Sequence, residues 1–144
     1  TFKDSIDEQI HFVLQKGEIS EHEPTLVRVH LQNSLSDLLG STRAINRSMS
    51  LDSAMERIAK ENGVIVVLGK KEDLESQVKQ FEAEDNNSIA KGKVWEGSSR
   101  TVGVGSQILA SLGIKKMRLL SKPVKYSALS GFGLEVVEYI HDEK

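Results

Sequence analysis

Cysteine is missing altogether from this chain of 144 residues. Its absence excludes disulfide bonds, catalysis by a thiolate nucleophile and metal binding through thiolates. A chain without cysteine suits the reducing cytoplasm, where disulfides are rare, so we expect a cytoplasmic location.

An excess of one charge and long apolar runs are also lacking. The 19 basic and 21 acidic residues leave a net charge of -2, so no overall field attracts nucleic acid or an anionic membrane. No apolar run reaches the length of a membrane span, and no signal peptide is visible. We therefore expect neither nucleic acid nor a membrane as a partner.

Repeats, low-complexity tracts and internal linkers are absent as well. The composition is ordinary, with 38% apolar and 28% charged residues, and this length suffices for one domain with a real core. The sequence thus predicts a single domain over residues 1–144. Because the chain begins at Thr1 rather than Met, we expect it to be the C-terminal part of a longer protein.

Hydrophobic periodicity indicates where the elements lie. Residues 25–33 show a period of two, which places Arg28 and His30 on one face of a strand. The continuous apolar run 64–69 is typical of a strand buried on both faces. Between them, Ser50 is a suitable N-cap, and the inner face of the helix is predicted to carry Leu51, Met55, Ile58 and Ala59.

Strands and helices are predicted to alternate from residue 50 to the end. The predicted strands are 10–19, 25–33, 64–69, 115–121 and 134–140; the predicted helices are 51–62, 71–84 and 102–113, with a loop at 85–99 and a helical turn at 123–133. This order predicts an α/β fold, a layered mixed β-sheet with flanking helices.

Short motifs give little chemistry on their own. The stretch GVGSQ (103–107) begins like a dinucleotide-binding fingerprint, but Ile108 stands at the third glycine position, so glycines for helix packing are the better interpretation. The four histidines are not spaced as helical metal ligands. The stretch RLLSKPVKY (118–126) sets a hydroxyl and two lysines beside a strand end, which fits either a phosphate pocket or a solvated loop.

Several stretches together resemble the GTP cyclohydrolase II family of riboflavin biosynthesis. KGEISEHEPTLVRVH (16–30) is similar to the early strand pair of that family, and LGSTR (39–43) to the turn that follows. SSRTVGVGSQILASLGIKKMRLLS (98–121) resembles its helix and next strand, and KPVKYSALSGFGLEVVE (122–138) its closing segment. The resemblance covers nearly the whole chain in order and implies a GTP cyclohydrolase II-like fold.

The resemblance also implies that the catalytic groups of the family are missing. Members hold zinc on three cysteines, and these positions fall on Asn33, Ala44 and Asn46. No metal or other cofactor is therefore expected. The family's catalytic aspartate falls on Ser98, which cannot accept a proton at neutral pH, whereas an arginine implicated in catalysis is kept as Arg100.

Nucleotide-binding positions of the family are kept in part. A glutamine of the family site is replaced by Met49. The positions to which the resemblance assigns nucleotide binding are Arg28, His30, Glu72, Ser121 and Lys125.

Two functions follow from this pattern. The first is an inactive GTP cyclohydrolase II-like domain with a structural, dimerising or regulatory role, partnered by a second copy and by an upstream 3,4-dihydroxy-2-butanone 4-phosphate synthase domain of the same chain. The alternative is an active GTP cyclohydrolase II or related hydrolase that releases formate and pyrophosphate from GTP. Joint loss of metal and base favours the first, because catalytic groups act as a unit. Arg100, Ser121 and Lys125 could still hold a weakly bound phosphate or nucleotide.

Overall fold

The computed structural model describes residues 1–6, 8–32, 49–69, 75, 78, 79, 99–123 and 129–141. The strands in these ranges are β1 (Phe2–Lys3), β2 (Ile10–Lys16), β3 (Thr25–Leu31), β4 (Gly63–Leu68), β5 (Lys116–Leu120) and β6 (Glu135–Ile140). They form one sheet in the order β1-β2-β4-β3-β5-β6. The pairings β4-β3, β3-β5 and β5-β6 are parallel, whereas β1-β2 and β2-β4 are antiparallel.

In the described ranges, two complete helices cover this sheet. The first, α1 (Leu51–Glu61), begins after Ser50, whose side chain accepts a hydrogen bond from the main-chain N–H of Ser53, and it ends at Asn62, which has a positive φ of 64°. The second, α2 (Ser99–Ser111), leads into β5, and a short 3-10 helix (Ser130–Phe132) precedes β6. Within the described ranges, no helix is long and apolar enough to cross a membrane.

The predicted α/β fold class is confirmed, and each of the five predicted strands is present with small differences in its ends. The two-residue strand β1 was not predicted. The predicted loop 85–99 is wrong at its last residue, because α2 already begins at Ser99. The predicted helix 71–84 and residues 85–98 lie mostly outside the described residues, although Glu75, Val78 and Lys79 are helical.

Two apolar clusters fill opposite faces of the sheet. Successive strand residues point to opposite faces, so Leu26 and Val27 of β3 belong to different clusters, as do Val64 and Ile65 of β4. The buried members on the α1 side are Leu26, Ala54, Ile58, Ile65 and Leu120. Those on the α2 side are Val27, Val64, Val66, Leu68, Ile108, Leu109, Ile114, Met117, Leu119 and Leu134.

The inner face of α1 differs from the predicted one by part of a turn. Ala54 and Ile58 are the buried residues of this helix, whereas Met55 and Ala59, both predicted to face inward, are exposed. The difference arises because the helix is short and its polar residues permit more than one inner face. Its far end is held by Arg118 of β5, which donates to Glu61 and to Glu138 of β6, and the bond to Glu138 raises the pKa of this guanidinium.

Gly63 is needed where α1 turns directly into β4. Its φ is 150°, and a Cβ at this position would lie 2.4 Å from the main-chain oxygen of Leu26 and 2.6 Å from Cδ1 of Ile58. One of these atoms belongs to the backbone of the central strand, so it cannot move without disturbing the sheet.

We predict that Gly63→Ala lowers the free energy of unfolding by about 3 kcal/mol, through overpacking and backbone strain. Gly103→Ala in α2 is the matched control, since a Cβ there meets no atom of the other described residues within 4 Å, its own helix backbone aside, and alanine favours a helix. Urea unfolding followed by circular dichroism measures both variants. Equal stability of the two variants would contradict the close approach of α1 to β3.

Candidate functional site

The carboxyl ends of β3, β4 and β5 meet at one edge of the sheet, because these strands are parallel. This edge is held together beyond the strands by Gln32, whose main-chain N–H donates to the carbonyl of Leu68 over 3.0 Å. In open α/β sheets, ligands bind at such an edge. A ligand-binding site is therefore expected at this edge of the sheet.

A cavity of about 70 Å³ lies between this edge and the N-terminal half of α2. The described residues that line it come from the three strands, from α2 and from the segment before the 3-10 helix. They are Val29, Leu31, Leu68, Val102, Gly105, Ser106, Leu109, Met117, Leu119, Leu120, Ser121 and Leu129. None of these side chains titrates, so they cannot transfer a proton in catalysis.

The two hydroxyl groups of the cavity are engaged locally. Ser106 is 2% exposed, and its Oγ donates to the carbonyl of Val102 over 2.7 Å within the same helix. Ser121, a predicted nucleotide-binding residue, follows β5 directly, and its Oγ donates to the carbonyl of Lys122 over 2.9 Å. Each hydroxyl keeps lone pairs that could accept a hydrogen bond from a ligand.

Arg28, a second predicted nucleotide-binding residue, lies on the opposite face of the sheet. It is 6% exposed, and its guanidinium donates to two main-chain carbonyls. Nη1 is 2.8 Å from the oxygen of Leu120, and Nη2 is 2.9 Å from the oxygen of Met49, just before the N-cap of α1. The side chain therefore joins β3, the end of β5 and the start of α1.

His30 shares the α1 face with Arg28 and is also 6% exposed. The period of two in β3 thus correctly predicted that the two polar side chains lie on one face, although this face is buried. The structure does not gather the described part of the predicted nucleotide set in one pocket. Arg28 and His30 lie on the α1 face, whereas Ser121 lines the cavity on the α2 face.

Other predicted positions are outside the described residues. They are Glu72, Lys125, Ser98 and the three positions that correspond to zinc ligands, Asn33, Ala44 and Asn46. Arg100 is the second residue of α2, and only its place in that helix is described. The functional roles of Arg100 and of the positions outside the described residues remain predictions.

His11 has a structural role that its sequence context did not reveal. It is 5% exposed, and its Nδ1 accepts a hydrogen bond from the main-chain N–H of Gly69 over 3.0 Å, just beyond β4. The same glycine lies so close to β2 that a Cβ would be 2.3 Å from the carbonyl oxygen of Ile10. No spacing in the sequence indicates this contact, which joins residues 58 positions apart.

Among the residues that the structure describes, no three histidine, cysteine, aspartate or glutamate side chains lie close enough together to hold a metal ion.

Comparison with known proteins gives one consistent family. The model of the family described as GTP cyclohydrolase II matches residues 1–141. A 3,4-dihydroxy-2-butanone 4-phosphate synthase of Photobacterium phosphoreum is 50% identical over 97% of this chain and 38% of its own length. The riboflavin biosynthesis protein RibBA of Chlorobium phaeovibrioides is 36% identical over 93% of this chain and 35% of its own length.

A solved structure agrees with these sequence matches. RibBX, a two-domain 3,4-dihydroxy-2-butanone 4-phosphate synthase from A. baumannii, is similar with a TM-score of 0.58 and 33% identity. The match covers 94% of this chain and 33% of RibBX. The chain thus spans less than two fifths of the length of the relatives it matches.

We predict that Arg28→Met lowers the free energy of unfolding by about 3 kcal/mol, because it leaves two main-chain carbonyls without their charged donor. Arg28→Lys is expected to lie in between, since an ammonium group cannot reproduce the planar two-point contact. Urea unfolding measures both variants.

The control is Arg57→Met, which removes an exposed pair between Arg57 and Glu61 at 3.0 Å. It is expected to cost about 0.5 kcal/mol or less. If Arg28→Met proved no more costly than Arg57→Met, the structural role of Arg28 would be refuted.

Proposed function

The chain belongs to the GTP cyclohydrolase II family of riboflavin biosynthesis proteins, and from that premise we propose that it is a degenerate member. It does not catalyse the zinc-dependent opening of the guanine ring of GTP. It is kept for a structural, dimerising or regulatory role beside a synthase domain of the same chain.

The replacement of all three zinc-binding cysteines carries this proposal. The corresponding residues are Asn33, Ala44 and Asn46, and the chain has no cysteine elsewhere that could take over. Ala44 has no donor atom, and a neutral amide oxygen is a poor ligand for zinc compared with a thiolate. This donor set does not fit the metal of the family, so no catalytic step is derived through it.

The proton-transfer group is affected as well. The family's catalytic aspartate corresponds to Ser98, whose hydroxyl is not a base at neutral pH. Metal and base act on the same reaction, and the loss of one member of such a unit already removes most of the rate. The loss of both the zinc ligands and the catalytic base indicates that this reaction no longer constrains the sequence.

Residues that look retained do not weaken the proposal. Arg28 is used by the fold, since its guanidinium is buried and bound to the carbonyls of Leu120 and Met49. A selection for stability therefore suffices to keep an arginine at this position.

The names of the relatives suggest the partner. Several relatives that match this chain over two fifths of their length or less are 3,4-dihydroxy-2-butanone 4-phosphate synthases. We infer that this domain accompanies such a synthase domain and pairs with a second copy of itself, since two-fold pairing is the commonest oligomer. A weak anion site at Arg100, Ser121 and Lys125 would be a remnant of the nucleotide site.

We predict that the purified protein contains no stoichiometric zinc and releases no formate from GTP above a blank without protein. Elemental analysis after dialysis and a formate assay with added zinc measure the two quantities. About one zinc per chain, or formate release that stops with a chelator, would contradict the proposal.

A triple variant separates loss of the metal from loss of the base. Asn33→Cys, Ala44→Cys and Asn46→Cys together restore three thiolates but leave Ser98 in place. We expect this variant to gain zinc without gaining turnover, and Ser98→Asp added to it is the step that could restore a measurable rate. Turnover by the triple variant alone would show that Ser98 is no obstacle.

We also predict that the protein is a homodimer at micromolar concentration and that deletion of this domain lowers the stability or rate of the synthase. Light scattering gives the mass in solution, and synthase assays compare the full chain with the truncated one. A monomer, together with an unchanged synthase after truncation, would leave the domain without the proposed role.

A further inference from the structure

Strand β2 carries an apolar stripe on one face that no other part of the described structure covers fully. Its members are Ile10, Phe12 and Leu14, which are 52%, 49% and 44% exposed. They alternate with His11 and Val13, which point to the α2 side, so all three lie on the α1 face of the sheet.

The stripe lies just outside the part of the sheet that α1 protects. Phe12 pairs with Val67 and Leu14 with Ile65, and Ile65 is buried under α1. The next residue on this face, Lys16, donates from Nζ to the carbonyl of Ala59. That contact marks where α1 reaches β2, and none of the three apolar residues beyond it belongs to either described core cluster.

Exposed apolar residues are concentrated at this place. Of the seven large hydrophobic side chains that are most exposed in the described structure, four lie between residues 6 and 14. The fourth is Ile6, which is 79% exposed. The other three, Met55, Val78 and Val137, lie on different elements. Contiguous apolar patches of this kind mark surfaces that are covered by a partner.

The sheet register identifies which partner can reach the stripe. Strand β1 runs antiparallel to β2, with Lys3 opposite Ile10 and Phe2 opposite His11. One step further along this ladder, Thr1 is level with Phe12, the middle of the stripe. Neighbouring strands are about 4.8 Å apart, so any polypeptide that precedes Thr1 starts beside Phe12.

We propose that the stripe Ile10-Phe12-Leu14 is the docking surface for the synthase domain of the same chain. This inference rests on the proposed pairing with that domain. The relatives are long enough to hold it, since this chain accounts for 38% of the Photobacterium phosphoreum synthase. If the synthase domain precedes Thr1, as the resemblance implies, it is held beside the stripe at a high effective concentration, which favours it over a second copy in solution.

The test uses the full chain with its synthase domain and single cysteines placed in this domain, which has none of its own. Phe12→Cys and Leu14→Cys probe the stripe, and Val137→Cys is the matched control, because Val137 is a strand residue that is 45% exposed. The rate of reaction with a maleimide is measured for each variant after subtraction of the unsubstituted chain. Each rate is divided by the rate of the same variant in urea.

We expect Phe12→Cys and Leu14→Cys to react at least about tenfold more slowly than Val137→Cys, because reaction at a docked surface requires local opening. The protection should not depend on protein concentration. Equal normalised rates at positions 12 and 137 would overturn the proposal. Protection that appears only as the concentration rises would overturn it as well, since the occupant would then be a second copy.

Two further measurements keep the outcome clear. Circular dichroism melting identifies a variant that has failed to fold, and Ile10→Cys then replaces it at the same surface. Zinc content and formate release test the loss of chemistry and do not respond to the covering of β2, so the proposed function and the docking surface can fail separately.

Discussion

The central position of β3, with β4 and β5 on its two sides and a helix over each face, constrains the rest of the structure. A strand enclosed in this way has no water to bind its polar side chains, so each of them must find its hydrogen-bond partners inside the protein. Arg28 meets this requirement with the carbonyls of Leu120 and Met49. In doing so it joins three elements that are far apart in the sequence, and its replacement would disturb all of them.

This constraint changes how retained polar residues are interpreted. An arginine and a histidine on a strand that leads to the ligand-binding edge of an α/β sheet look like parts of a site. The same two residues are also what a buried strand keeps when their hydrogen bonds hold the fold. Sequence resemblance cannot distinguish a ligand-binding role from a structural role, because either role retains the same residue at the position. The separation comes from the described hydrogen bonds of Arg28, which end on the main-chain carbonyls of Leu120 and Met49.

Local patterns predicted most of the fold and little of the site geometry. The run 64–69 predicted a strand buried on both faces, because a buried strand is apolar along its length. Ser50 predicted the start of α1, because serine is a preferred N-cap residue. Strand β1 has only two residues, too few for a period. Met55 was predicted inside but lies outside, since the inner face of a short helix is set by the sheet below it. The contact from Arg28 to Leu120 spans 92 positions, and no local pattern encodes it.

The way the core is built explains how a domain of this family could lose its chemistry and keep its fold. The described core is already continuous on both faces of the sheet, and its buried members come from the strands, the two helices and their immediate flanks. None of these members is a metal ligand, so the packing of the described core needs no bound zinc, in contrast to small zinc domains. Substitutions at positions 33, 44 and 46 could therefore accumulate without unfolding the chain. In the degenerate domain that we propose, what remains under selection is the core and the surfaces that contact other domains, and β2 carries three of the seven most exposed large hydrophobic side chains among the described residues.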